Sequence, residues 1–382
     1  MAMLKCRLKD LIVLGLWAPL ILLPYFLMMH TPTAVMVQNA LANRLNYFMG
    51  TNTDAEGRDL VSDEGEPFTT PTNDENEDVI APWVLANITG ANYTAIEEEF
   101  PGLSEILEKT ALPNNTVLMT ALNAAWASED SMIDLFLGSF HAGEEISHYL
   151  NHLLIIALDQ VSYDRCLEIH PHCFRLETEG VDFAAEKFFM SGDYLKMMWR
   201  RVEFLRIVLE LGYNLLFSDA DIMWFRDPFP HFSEEADFQI ACDHFNGNPT
   251  DLTNLPNGGF VFVRSSQRTV DFYKYWHESR LVHPTQHDQD VFNYIKKTKQ
   301  FAAYQLQIEF LETSYIGGFC EVSQDFSKVC TMHANCCTGL ERKLFDLKLT
   351  LADWAQYQAM TRQQRAEQRI FWQAPKECLH SW

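Results

Sequence analysis

The sequence predicts an α/β domain with a mainly parallel, buried central sheet, and three observations carry that prediction. The runs "HLLIIALD" (residues 152–159) and "LLFSDAD" (residues 215–221) are short, apolar and end in acids. A parallel strand covered on both faces reads as such an uninterrupted apolar run. Between them, "SGDYLKMMWRRVEFLRIVLELG" spaces its apolar residues at helical intervals from Tyr194 through Leu211, and Gly212 follows as a stop. Strands alternating with helices are the pattern of βαβ units.

Taken in chain order, residues 1–10 carry Lys5, Arg7 and Lys9, and residues 11–29 hold no charge. That apolar stretch reaches roughly 28 Å as a helix, close to the thickness of a bilayer core. The next basic residue is Arg44, so the positive-inside rule puts residues 1–10 in the cytosol and everything after residue 29 across the membrane. A cleaved signal peptide competes with this signal anchor, but the run is long for that and no clear small-x-small site follows. Residues 30–112 read as an acidic lumenal stem. Ten acids crowd residues 54–78 with Arg58 as the only base, and only residues 36–48 hint at an amphipathic helix. Acceptor sequons stand at Asn87, Asn92 and Asn114.

The whole chain has 52 acidic and 29 basic side chains, a formal charge of -23, which argues against a nucleic-acid partner. With Cys6 on the cytosolic side, Cys166, Cys173, Cys242, Cys320, Cys330, Cys336, Cys337 and Cys378 remain, an even set that reads as a disulfide framework in an oxidising lumen. "CLEIHPHCF" from Cys166 could offer a zinc site, yet a Cys166–Cys173 disulfide is the simpler reading.

Residues 113–382 form the expected catalytic domain, and 47% hydrophobic content supports a sizeable core. A strand begins at Thr116, and the chain runs from Asn123 through a loop into a helix. After the strand ending at Ser218 come strands in "FQIAC" and "GGFVFVRS" and a helix over residues 269–279. In such sheets ligands bind beyond the C-terminal ends of strands, where Asp219 and Asp221 lie. Two residues apart on extended chain, their carboxylates share a face and suit Mg²⁺ or Mn²⁺. "PNGG" (residues 256–259) reads either as a plain turn or as a glycine stretch that lets backbone approach a ligand.

"FSDADIMWFRDPFP", "ADFQIACDHFNGNP", "PNGGFVFVRS", "HDQDVFN" and "TMHANCCTGLERKLFDL" together resemble the plant nucleotide-diphospho-sugar transferase family, which includes rhamnogalacturonan xylosyltransferases and extensin arabinosyltransferases. The resemblance covers residues 115–378; Ser218 stands where Thr is expected. It implies a GT-A-type, Rossmann-like nucleotide-sugar-binding fold, a divalent metal, usually Mn²⁺, and transfer with retention. By that resemblance Asp219, Asp221 and His333 hold the metal, and Asp288 and Gln289 grip the donor sugar and line its reacting carbon. Lys343 then contacts the diphosphate, Asn257 and Gly258 the sugar, and Thr120, Asn123 and Arg200 the nucleoside. The alternatives are a core histidine at 333, solvated side chains at Lys343 and Arg200, and Asp290 as a helix cap leading Val291, Phe292 and Ile295. The resulting expectation is a Golgi type II enzyme using a UDP-sugar on a cell-wall polysaccharide or glycoprotein. A carbohydrate-binding scaffold that kept the fold is the rival, and the intact motifs favour the enzyme.

Overall fold

The computed structural model describes residues 92–178 and 191–381. Two short helices come first, α1 (Tyr93–Glu99) and α2 (Leu103–Thr110). The chain continues through β1 (Thr116–Leu122), α3 (Ala124–Ala127), α4 (Met132–Ala142), β2 (Leu153–Ala157), α5 (Gln160–Ile169) and β3 (Cys173–Arg175). Next come α6 (Gly192–Glu210), β4 (Asn214–Ser218), β5 (Ile222–Trp224), β6 (Phe238–His244) and β7 (Leu255–Val263). After α7 (Gln267–Ser279), α8 (Asp288–Ile295) and α9 (Lys299–Ala303) lie β8 (Ile308–Phe310), β9 (Ile316–Gly318) and β10 (Thr331–His333). Finally α10 (Leu340–Ala359) and α11 (Arg362–Glu367) lead to the C-terminal segment.

A seven-stranded sheet has the order β3-β2-β1-β4-β7-β6-β8, and a three-stranded sheet the order β5-β10-β9. Strands β3, β2, β1 and β4 run parallel, as their apolar character predicts, and β8 is parallel to β6. Strand β7 is antiparallel to both neighbours. The link from β6 to β7, residues 245–254, is shorter than a parallel crossover requires. The sheet is therefore mostly parallel with one reversed strand.

Alternate residues of β1 feed opposite faces, as the strand period demands. Leu118 and Leu122 join Phe136 and Phe140 of α4 and Trp354 of α10 on one side. Val117 and Met119 join Leu205 of α6 and Phe272 and Trp276 of α7 on the other. Helix α6 starts where the Ser191 hydroxyl accepts from Tyr194 N–H, and the chain leaves it through Gly212 at φ +89°.

The structure corrects the boundary at residue 113. Ile96, Leu103 and Leu107 of α1 and α2 are buried in the second core cluster, so the folded domain includes the end of the expected stem. Asn92 caps α1 by accepting from Ala95 N–H at 3.3 Å. The tail, the apolar run 11–29, residues 36–48 and Asn87 lie outside the described residues; among those described, no helix is long and apolar enough to cross a membrane.

The cysteine expectation is also corrected. Disulfides join Cys166–Cys173, Cys320–Cys336 and Cys337–Cys378, but Cys242 and Cys330 are buried thiols. Cys242 sits within β6 and Cys330 immediately precedes β10, so the two are held by separate strands. The Cys166–Cys173 bridge also removes the zinc reading; His170 Nε2 is spent on Leu153 O at 2.7 Å.

Candidate active site

The site begins where β4 ends. Asp219 N–H donates to Gly259 O at 2.7 Å, fixing the acid loop against β7, and β5 follows immediately. Strand β10 pairs antiparallel with β5, with His333 opposite Ile222. That register lays the imidazole beside the acids: His333 Nε2 is 3.1 Å from Asp221 Oδ1 and 3.9 Å from Asp219 Oδ2. One ligand atom from each of the three residues lies within 4.8 Å of the others. Asp221 is 1% exposed, and its Oδ1 lacks an aligned hydrogen bond. A buried carboxylate oxygen with no aligned hydrogen bond, 3.1 Å from an imidazole nitrogen, fits a cation-binding role.

Charges around the pair differ. Burial opposes ionisation of Asp221, but Lys343 and His333 outweigh it and hold the carboxyl well below the usual range. Lys343 Nζ of α10 reaches Asp221 Oδ2 at 2.5 Å. Asp219 is pushed up, chiefly by burial, with Asp221 adding and Arg201 opposing. A divalent cation between the two would favour both anions.

Arg201 is the residue that sequence reasoning missed. Its guanidinium donates to Asp219 Oδ1 at 3.0 Å and Asp288 Oδ2 at 2.7 Å, and lies 4.9 Å above the Phe217 ring. The structure does not bring Arg200 to this site. Arg200 pairs with Glu203 at 2.7 Å and Glu99 at 3.6 Å and covers Phe100. Successive helix residues point about 100° apart, so only one arginine of the tandem can face the acids. Both precede an apolar residue four positions on, Phe204 or Leu205, so the sequence held no signal to separate them.

Nor is "PNGG" a turn. Pro256, Asn257, Gly258 and Gly259 lie inside β7, where the register against β6 shifts between Ile240 and Ala241. This bulge pushes backbone toward the acids. A Cβ at Gly259 would lie 2.5 Å from Asp219 Oδ2 and 2.6 Å from His333 Cε1, so only glycine fits without displacing them.

Gln289 and Asp288 open α8 at the far side of this bulge. Gln289 Oε1 accepts from Gly258 N–H at 3.1 Å, while Asp288 is 2% exposed and bound to Arg201. Burial opposes ionisation of Asp288, yet Arg201 and His287 hold its pKa down at about 2. His287, not Asp290, caps the helix: its Nδ1 accepts from Gln289 N–H at 3.2 Å. Asp290 lies 3.3 Å from His287 Nε2 instead.

Thr120 and Asn123 are not brought to the acids by any contact. Thr120 is fully buried within β1, and Asn123 spends its side-chain oxygen on Trp126 N–H at 3.2 Å, capping α3. Lys343 Nζ lies 5.6 Å from the ring centroid of Trp126 on α3.

An α/β sheet carrying an Asp-Ala-Asp turn, a histidine beside it, an adjacent lysine and a polar glycine-lined wall defines an enzyme of the nucleotide-sugar transferase class. The model of the nucleotide-diphospho-sugar transferase family matches residues 148–347, more than half of the chain, and the chain belongs to that family. An uncharacterised Arabidopsis thaliana protein is 47% identical over 78% of this chain and 79% of its own length. An A. thaliana UDP-D-xylose:L-fucose alpha-1,3-D-xylosyltransferase is 25% identical over 64% of this chain and 72% of that protein. A solved glycosyltransferase involved in glycosylation of the major capsid of PBCV-1 aligns at 10% identity and TM-score 0.36, over 61% of this chain and 98% of that one.

Proposed function

We propose that this glycosyltransferase moves a pentose or hexose from a UDP-sugar to a cell-wall polysaccharide or glycoprotein, with Mn²⁺ or Mg²⁺ bound and with retention at the anomeric carbon. The observation that carries this reading is the convergence of Asp219, Asp221 and His333 ligand atoms within 4.8 Å, next to Lys343. A divalent cation held by those three residues supplies the positive charge that makes a nucleotide diphosphate a good leaving group.

The protein's own side chains do the rest. Lys343 offers a cation that can serve the diphosphate as well as Asp221. Arg201 keeps Asp219 and Asp288 apart in charge and fixed in place. The backbone at Gly258 and Gly259 lets the sugar lie close to β7, between the acids and Gln289. Asn257, Asp288 and Gln289 are the side chains placed to hold its hydroxyls. In transfer, the bond from sugar C1 to the phosphate oxygen breaks with its electron pair on UDP. The acceptor hydroxyl oxygen bonds to C1 and gives its proton to the departing diphosphate. Xylose and galactose are the first donors to test, because relatives are named as UDP-D-xylose- and UDP-galactose-dependent transferases. The sequons, the apolar run 11–29 and the disulfides support a Golgi-lumenal domain on an N-terminal anchor.

The test is UDP release by the full chain from UDP-xylose, UDP-galactose and UDP-glucose, with Mn²⁺ or Mg²⁺ and with EDTA. Asp219→Ala and EDTA should each remove turnover and weaken UDP binding while thermal unfolding stays cooperative. Turnover that persists undiminished in EDTA, or in the variant, overturns the metal role.

A further inference from the structure

Asp243, at the end of β6, is a carboxylate that none of the motifs assigned a role. It accepts from three primary amides: Asn257 Nδ2 at 2.8 Å, Asn335 Nδ2 at 2.9 Å and Gln289 Nε2 at 2.9 Å. Each amide is also held at its oxygen, by Gly259 N–H, Cys320 N–H and Gly258 N–H respectively. An ionised carboxylate only accepts, so each amide must turn its N–H₂ toward Asp243 and its oxygen away. The three orientations are therefore set by one charge. Asp219, Asp221 and Asp288 each face a lysine or arginine, whereas these hydrogen-bond partners of Asp243 are neutral.

We propose that Asp243 is a positioning residue for sugar transfer: its carboxylate locks the Gln289 amide so that the oxygen faces the sugar. This rests on the transferase reading above. A sugar joined to a diphosphate at Asp219 and Asp221 crosses Gly259 and Gly258 and meets Gln289. As the C1–O bond breaks toward UDP, positive charge develops at C1. A negative charge one hydrogen bond behind Gln289 polarises the amide and strengthens its oxygen there. The same carboxylate orients Asn257, so sugar-facing polar groups on β7 and α8 are set together.

Asparagine at this position would present one acceptor oxygen and its own N–H₂ to three amides that all need acceptors. The experiment measures kcat, donor KM and the Kd for UDP in the full chain for wild type, Asp243→Asn, Gln289→Ala and the double variant. The donor is whichever of UDP-xylose, UDP-galactose and UDP-glucose wild type consumes. Asp243→Asn should lower kcat by on the order of 10- to 100-fold, the usual effect of losing a group that orients a reacting one. UDP affinity should stay within about twofold, because Asp219, Asp221, His333 and Lys343 are untouched. The double variant should fall well short of the product of the two single losses, since Asp243 acts through Gln289 and only the share carried by Asn257 remains to be lost. If Asp243→Asn fails to unfold cooperatively, Asp243→Ser, which removes the charge without adding an amide, is read in the same way. Wild-type kcat in either variant, or losses that multiply in the double variant, overturn the proposal and leave the transferase reading standing. A wild type that releases no UDP from UDP-xylose, UDP-galactose or UDP-glucose overturns both.

Discussion

Arg201 shows what a single residue carries in this protein. Its side chain is 10% exposed and is shared by Asp219 and Asp288, whose own side chains are 29% and 3% exposed. Replacing it with methionine keeps most of the stem that covers Phe217 but strands a buried carboxylate. Breaking a buried pair from one side costs about 3–5 kcal/mol, because the remaining charge has no partner. Arg201→Met should therefore lose stability of that order in urea unfolding, and added Mn²⁺ should restore part of it by binding Asp219. Arg200→Met, which frees only half-exposed acids, should cost under about 1 kcal/mol. Equal losses in the two variants would mean that Arg201 does not bridge the acids.

At the scale of elements, the two opening helices matter more than their composition suggests. Residues 93–110 contain five glutamates at positions 97, 98, 99, 105 and 108, which is why the segment reads as stem. Within the two helices the buried apolar positions are Ile96, Leu103 and Leu107, too few over two short helices to declare a period. Leu107 is fully buried, so Leu107→Ala should destabilise the domain by about 2–5 kcal/mol in chemical denaturation. A cost below about 0.5 kcal/mol would return α2 to the stem. Longer elements were legible: β2, β4, α6 and α7 stand within a few residues of where their periodicity puts them. The acid pair was legible too, because an apolar strand ending in carboxylates is a local signal. The β7 bulge was not, because a register shift depends on β6 and leaves no mark in "PNGG" itself. His333, Lys343 and Asp288 came from motif resemblance, and no local pattern joins them to Asp219. Asp243 escaped notice because its role is visible only in the amides that surround it.

For the whole molecule, stability should depend on pH through groups held neutral by their surroundings. His277 on α7 packs against α6. Burial first, then the nearby Arg280, Arg206 and Arg200 charges, push its pKa down to about 4, with Glu203 opposing. Unfolding returns it to its ordinary value near 6.5. The unfolded chain then binds the proton more tightly, so stability is full above pH 6.5 and declines as pH falls toward 4. Thermal unfolding between pH 7 and 4.5 should show this decline, and His277→Gln should flatten it. A variant with the same slope as wild type would remove His277 from the account.

The pairing of β10 with β5 also bears on the order in which the protein is made. Asp221 emerges from the ribosome 122 residues ahead of Lys343 and well before His333. Until β10 is synthesised, Arg201, bound to Asp219, is the one cationic side chain among the described residues that pairs with the acids and has already been made. A chain cut short before β10 would retain most of the central sheet yet present two adjacent carboxylates with neither imidazole nor ammonium beside them. Residues 331–343 therefore convert a repulsive pair of charges into a balanced one, after the sheet that displays the acids has been made.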